Sequence, residues 1–73
     1  MVLTGNATVD ALITNAEVLR QAACNAAGAS QATCNTATVT YYKAVMAAKL
    51  AASPALDVGN EIIAIQDQLN TSV

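Results

Sequence analysis

The chain has 73 residues, eight charged side chains and a net charge of −2. It is 55% hydrophobic, yet 17 of those residues are alanine and none is Phe or Trp, so a monomer has little large apolar area to set against the entropy of ordering. Because a chain this short buries only about 60% of the surface it exposes when unfolded, it needs a disulfide, a metal or oligomerisation to complete its stability.

What is missing excludes several classes. Arg20, Lys43 and Lys49 are the only basic residues, which is no electrostatic footprint for nucleic acid or an anionic membrane. There is no histidine, so the commonest general base and a leading metal ligand go together. Two cysteines and five scattered carboxylates assemble no zinc spacing, and three glycines form no phosphate-cradling loop. The reading is therefore no enzyme, no cofactor and no metal. The longest low-polarity stretch, Ala44 to Ala52, is cut by Lys49 and falls far short of the roughly 20 residues that cross a bilayer. No secretion signal is visible before Arg20, and the expectation is one small helical domain over residues 1–73, soluble and cytoplasmic.

In chain order, Asn6 or Thr8 can cap a first helix over about 8–27, with Val9, Leu12, Ala16, Leu19, Ala23 and Ala26 as its apolar seam. Gly28 supplies the left-handed residue that helix ends favour. Ser30 opens a second helix to about 52 and is expected to run antiparallel to the first. On it, Ala37, Tyr41, Ala44, Ala48 and Ala51 form a heptad-like stripe, while Val39, Tyr42, Met46 and Leu50 lie along another face. A helix apolar nearly all round is usually buried all round, which a three-helix monomer cannot provide. Val39, Tyr41, Tyr42, Ala44, Met46, Ala48, Leu50 and Ala51 are thus the candidates for packing against other subunits. The hydroxyls of Thr33, Thr36, Thr38 and Thr40 are read as bonding back to the early turns of this helix.

Ser53-Pro54 and Asp57 are start signals for a third helix over about 57–70, where Val58, Ile62, Ile65 and Leu69 repeat opposite Glu61, Asp67, Gln68 and Asn70. The fold class is all-α, a helical hairpin plus a third helix, completed by packing against other subunits. Cys24 and Cys34 are equidistant from Ala29 in the turn and so fall at one level of the hairpin. They are either a disulfide or two small apolar residues kept reduced, the second being what a cytoplasmic chain favours.

At Asp10-Ala11, Asn15, Val18-Leu19, Ala22, Ala26 and Gly28, then Gln31-Ala32-Thr33, the chain resembles the R-body (refractile body) structural proteins, the "killing trait" family of bacteria. It departs from the family at Ala23-Cys24, where a proline is usual. The resemblance implies a subunit that polymerises with its own copies, or related ones, into a cytoplasmic ribbon rolled as a hollow cylinder. Such ribbons extend on acidification and rupture membranes, so a membrane enters only as a target of the polymer. With no histidine, an acid trigger has to act through Asp10, Glu17, Asp57, Glu61 or Asp67; Glu61 and Asp67 on the third helix are the candidate switches. Three functional classes fit the residues: a self-assembling structural subunit, a small helical module that buries its second apolar face on a different protein, and a secreted disulfide-stapled helical toxin.

Overall fold

A computed structural model of the chain describes residues 3–72; residues 1, 2 and 73 of the expected domain lie outside the described residues. The fold is all-α, built from α1 (Ala7–Asn25), α2 (Gln31–Ala51) and α3 (Gly59–Ser72). The two N-terminal caps follow directly from sequence. Asn6 Oδ1 accepts from the Val9 N–H at 3.1 Å, and Ser30 Oγ accepts from the Thr33 N–H at 3.1 Å, each satisfying a donor that a helix start leaves without a partner. Asp10 strengthens the first of these turns, its carboxylate accepting from Thr4 N–H, Thr4 Oγ1–H and Gly5 N–H at 2.7, 2.8 and 3.0 Å.

The turn between α1 and α2 uses Gly28 at φ +78°, a conformation that disfavours side chains. Within α2, the hydroxyls of Thr36, Thr38 and Thr40 donate to carbonyls four residues back, at 3.0, 2.8 and 3.1 Å. These polar residues are thereby absorbed by their own helix.

The third helix starts later than the sequence suggests. Proline disfavours helical geometry in the residue before it, so Ser53-Pro54 acts as the end of α2 and not as the opening of α3. The chain turns back through Leu56, whose N–H donates to the Lys49 carbonyl at 3.0 Å, and helix geometry resumes only at Gly59. Asp57 lies two residues before that start, with its carboxylate beside Gly59.

The core is small: Val9, Ile13 and Ala16 of α1 against Tyr41, Val45 and Ala48 of α2, with Tyr42, Ala52 and Leu56 packed at its edge. This corrects two seams read from the sequence. On α1 the inward line is Val9-Ile13-Ala16, and Leu12 and Leu19 of the expected seam are exposed. On α2 the inward line includes Val45, which the alanine stripe omitted. Both helices carry apolar residues on more than one face, so periodicity alone does not say which face turns inward.

Among the described residues, α3 packs on α2 and not on α1. It turns Glu61 inward, although the sequence places this residue opposite the apolar line, and leaves Ile62, Ile63 and Leu69 exposed. The result is a slab of 40 × 24 × 15 Å with a radius of gyration of 12.6 Å, against about 11 Å for a compact chain of this length. Its accessible surface is 4697 Å², where about 4,200 Å² is usual for the mass.

Candidate functional site

The chemistry of the molecule is concentrated in two ion pairs. On α1, Arg20 is bonded to Glu17 through both Nε and Nη2, and its guanidinium lies over the Tyr41 ring, 5.9 Å from the centroid. The Arg20 hydrogen bonds hold the Glu17 carboxyl below the usual glutamate range. Burial pushes the Tyr41 phenol up, and its ring meets Tyr42 edge-on at 5.1 Å. Between α2 and α3, Lys49 Nζ bonds Glu61 Oε1, with only 15% and 9% of the two side chains exposed. Among the described residues, Glu61 Oε2 is buried without a hydrogen-bond partner. Arg20, Tyr42, Lys49 and Glu61 line a cleft of about 400 Å³ between the three helices.

Carboxyl groups held low have a consequence for acid stability. The Thr4 N–H, with Thr4 Oγ1–H and Gly5 N–H, lowers Asp10, and Arg20 lowers Glu17. Folded Asp10 and Glu17 therefore bind a proton less readily than in the unfolded chain. Their contribution is complete above the ordinary carboxylate values of about 3.8 and 4.5 and is lost as pH falls through their lower folded values. Thermal melting of the wild type should stay level from pH 7 to 5 and drop toward pH 3, with a shallower drop in Asp10→Asn. An identical acid slope in that variant contradicts the assignment.

Cys24 and Cys34 are joined as a disulfide, with Cα atoms 4.4 Å apart, at the turn end of the hairpin. The Asn25 end of α1 and the start of α2 meet at one level because Gly28 reverses the chain between them. Cross-linking a loop of this length removes about 3 kcal/mol of unfolded-state freedom. The double variant Cys24→Ser, Cys34→Ser is expected to melt about 10–20 °C below the wild type. A difference of under about 3 °C leaves no stapling role for the bridge.

The third feature is a face. Opposite the side of α2 that receives α3, a furrow runs along the crevice between α1 and α2. Its middle is a cleft of about 250 Å³ floored by Ala16, Ala23, Ala37 and Ala44, with Leu19 and Thr40 on its rims. Toward the turn it continues over Ala32, Thr33 and Thr36. One helical turn beyond Ala44 it resumes between Leu12, Ala48, Ala51 and Ala52. Among the described residues lining it, the only charged one is Arg20, which is already held by Glu17.

The subunit-packing candidates therefore separate. Ala44 and Ala51 are exposed along the furrow, Leu50 is exposed, and Val39, Tyr42 and Met46 are half-buried. Tyr41 and Ala48 belong to the chain's own core, which removes them from the set of free surface residues. Of the two carboxylates named as switches, Glu61 is buried against Lys49 and Asp67 is exposed. Sequence reasoning missed Leu12 and Leu19 as surface residues because it placed them in the interior seam. The competing line 9-13-16-20 was the available signal, and Arg20 at its end made that line look less apolar. No helix among the described residues is long and apolar enough to cross a membrane. No known family, curated protein or solved structure matches the chain.

Proposed function

We propose that this protein is a structural subunit, without catalytic activity, that assembles with copies of itself into a polymer. The observation that carries the reading is the alanine furrow, charged only at Arg20, an apolar face that the chain's own third helix leaves open. Exposed Ile62, Ile63 and Leu69 add apolar surface on a different element, and a subunit with two such regions can extend an assembly beyond a pair. The resemblance to R-body proteins supplies the finer form, a ribbon or tube that responds to acid and acts on membranes once assembled. In that form Glu61, facing Lys49, and the exposed Asp67 are the carboxylates to test. Replacing both by Gln and finding an unchanged acid response removes them as switches. Negative-stain microscopy of the purified chain alone tests the main reading, since polymers need no partner. A single 7.4 kDa species at all accessible concentrations overturns it.

A second reading is favoured by one observation, the Cys24–Cys34 disulfide. Disulfides persist in oxidising compartments and are rare in a reducing cytosol, which supports a stapled helical protein acting outside the cytoplasm over a cytoplasmic inclusion. A thiol count on unreduced protein taken from the producing cell separates the two. No free thiol supports the stapled form, and two free thiols per chain support the cytoplasmic one.

A further inference from the structure

Two copies of the chain, we propose, pair face to face across the alanine furrow as a two-fold symmetric four-helix bundle, with Leu12 and Leu19 of each copy seated in the furrow of the other. The inference rests on the self-assembly reading and specifies its first contact.

The furrow face carries both parts of a self-complementary surface. Leu12 and Leu19 are 50% and 72% exposed and stand seven residues apart, two turns along the same side of α1. Beside them run the alanine positions, whose small side chains leave room for such projections and let backbones approach closely. A surface that holds its own knobs and its own holes satisfies the condition for a two-fold contact, in which residue i of one copy meets residue j of the other and the reverse.

Charge does not oppose the contact. Asp10 lies roughly opposite Leu12 and Leu19 around α1, and Lys43 and Lys49 point about 100° or more away from Ala44 around α2, at about 100° per residue. Two such faces meet without placing like charges together, apart from the edge at Arg20, which Glu17 neutralises.

Area decides between this face and the outer side of α3. The furrow follows α2 from Ala32 to Ala52, about 30 Å at about 1.5 Å per residue. Two adjacent helices about 8–10 Å apart make it about 18–20 Å wide. That is about 550 Å² of footprint per copy, or about 1,100 Å² for the pair, which clears the roughly 1,000 Å² that a specific interface needs. The outer side of α3 is one helix of 14 residues, giving about 200 Å² per copy at about 21 Å by 10 Å, which falls short. Nor does α3 of the same chain cover the furrow, because Lys49 and Glu61 hold it to another side of α2.

Sedimentation equilibrium on the full oxidised chain tests the pairing, with wild type, Ala44→Glu, Leu19→Glu and Ile63→Glu. Ala44, Leu19 and Ile63 are all exposed, so the substitutions leave the monomer's core untouched; far-UV circular dichroism checks this, and Leu19→Glu carries the test should Ala44→Glu fail to fold. The wild type is expected to associate through a dimer, with Ala44→Glu and Leu19→Glu at least about tenfold weaker because each buries a charge in the contact. Ile63→Glu should still dimerise. Association of Ala44→Glu at wild-type strength overturns the furrow contact while leaving self-assembly standing. So does a one-to-one complex that appears only when Ala44→Glu and Ile63→Glu are mixed, the mark of a head-to-tail contact between furrow and α3. A wild type that stays monomeric at about 1 mM overturns both the pairing and the assembly reading, and points the furrow at a different protein.

Discussion

Replacing Glu61 by alanine should cost about 3–5 kcal/mol, because it leaves Lys49, whose side chain is only 15% exposed, without its counter-charge. Chains of this length have on the order of 4–11 kcal/mol in total at about 0.05–0.15 kcal/mol per residue, so the variant should sit near the edge of folding. The pair is not thereby a large net stabiliser. Both side chains lose most of their hydration, and among the described residues Glu61 Oε2 has no hydrogen-bond partner in exchange. The double variant Lys49→Met, Glu61→Met, which removes both charges and keeps the volume, should therefore lie close to the wild type or above it. Urea denaturation of the wild type, Lys49→Met, Glu61→Met and the double variant measures the coupling directly. Because α3 is attached to α2 alone, amide exchange in Glu61→Ala should accelerate first over residues 59–72. A Glu61→Ala variant within about 0.5 kcal/mol of the wild type would show that the pair behaves as a surface ion pair.

Ile13→Ala is the second change with a large expected effect. Among the described residues, Ile13, 1% exposed, is the most deeply buried large side chain, in a core with five other buried apolar residues. Truncation costs the lost transfer energy and the cavity together, about 2–5 kcal/mol, and so small a core has few neighbours to collapse into the gap. Leu19→Ala, measured at a concentration low enough to keep the chain monomeric, should change stability by about 0.5 kcal/mol or less, since Leu19 is exposed. The contrast reports which line of α1 faces inward. A larger loss at Leu19 than at Ile13 would place the seam Leu12-Ala16-Leu19 in the core and refute the packing described above.

These two sites also mark where sequence reasoning stops. The helices themselves are legible because their signals are local. Asn6 and Ser30 each offer an acceptor to an N–H three residues on, and Gly28 takes the left-handed turn. The third helix is legible too, and its first residue is the weaker part of the signal: Pro54 is compatible both with a first helical turn and with a stop, and the chain's return to Lys49 decides between them. The inward faces are harder still. Alanine is nearly indifferent to burial, so a stripe of it gives periodicity without a direction. What turns α3 is a bond between Lys49 and Glu61, twelve residues apart on different helices, and a long-range pairing of this kind leaves no local trace. The furrow is the residue of that choice: once Ile13 and Val45 go inward, Leu12, Leu19 and Ala44 remain outside.

The order of contacts has a kinetic meaning. Among the described residues each helix meets only its neighbour in sequence, α1 with α2 and α2 with α3, through the short segments 26–30 and 52–58. Helical chains rich in local contacts pack in microseconds to milliseconds. Two proteins at about 1 µM with an encounter constant of about 10⁵–10⁷ M⁻¹ s⁻¹ wait about 0.1–10 s for a productive collision. If copies assemble as proposed, the helices of a new copy pack together well before it meets another, and growth would add folded pieces at a pace set by concentration.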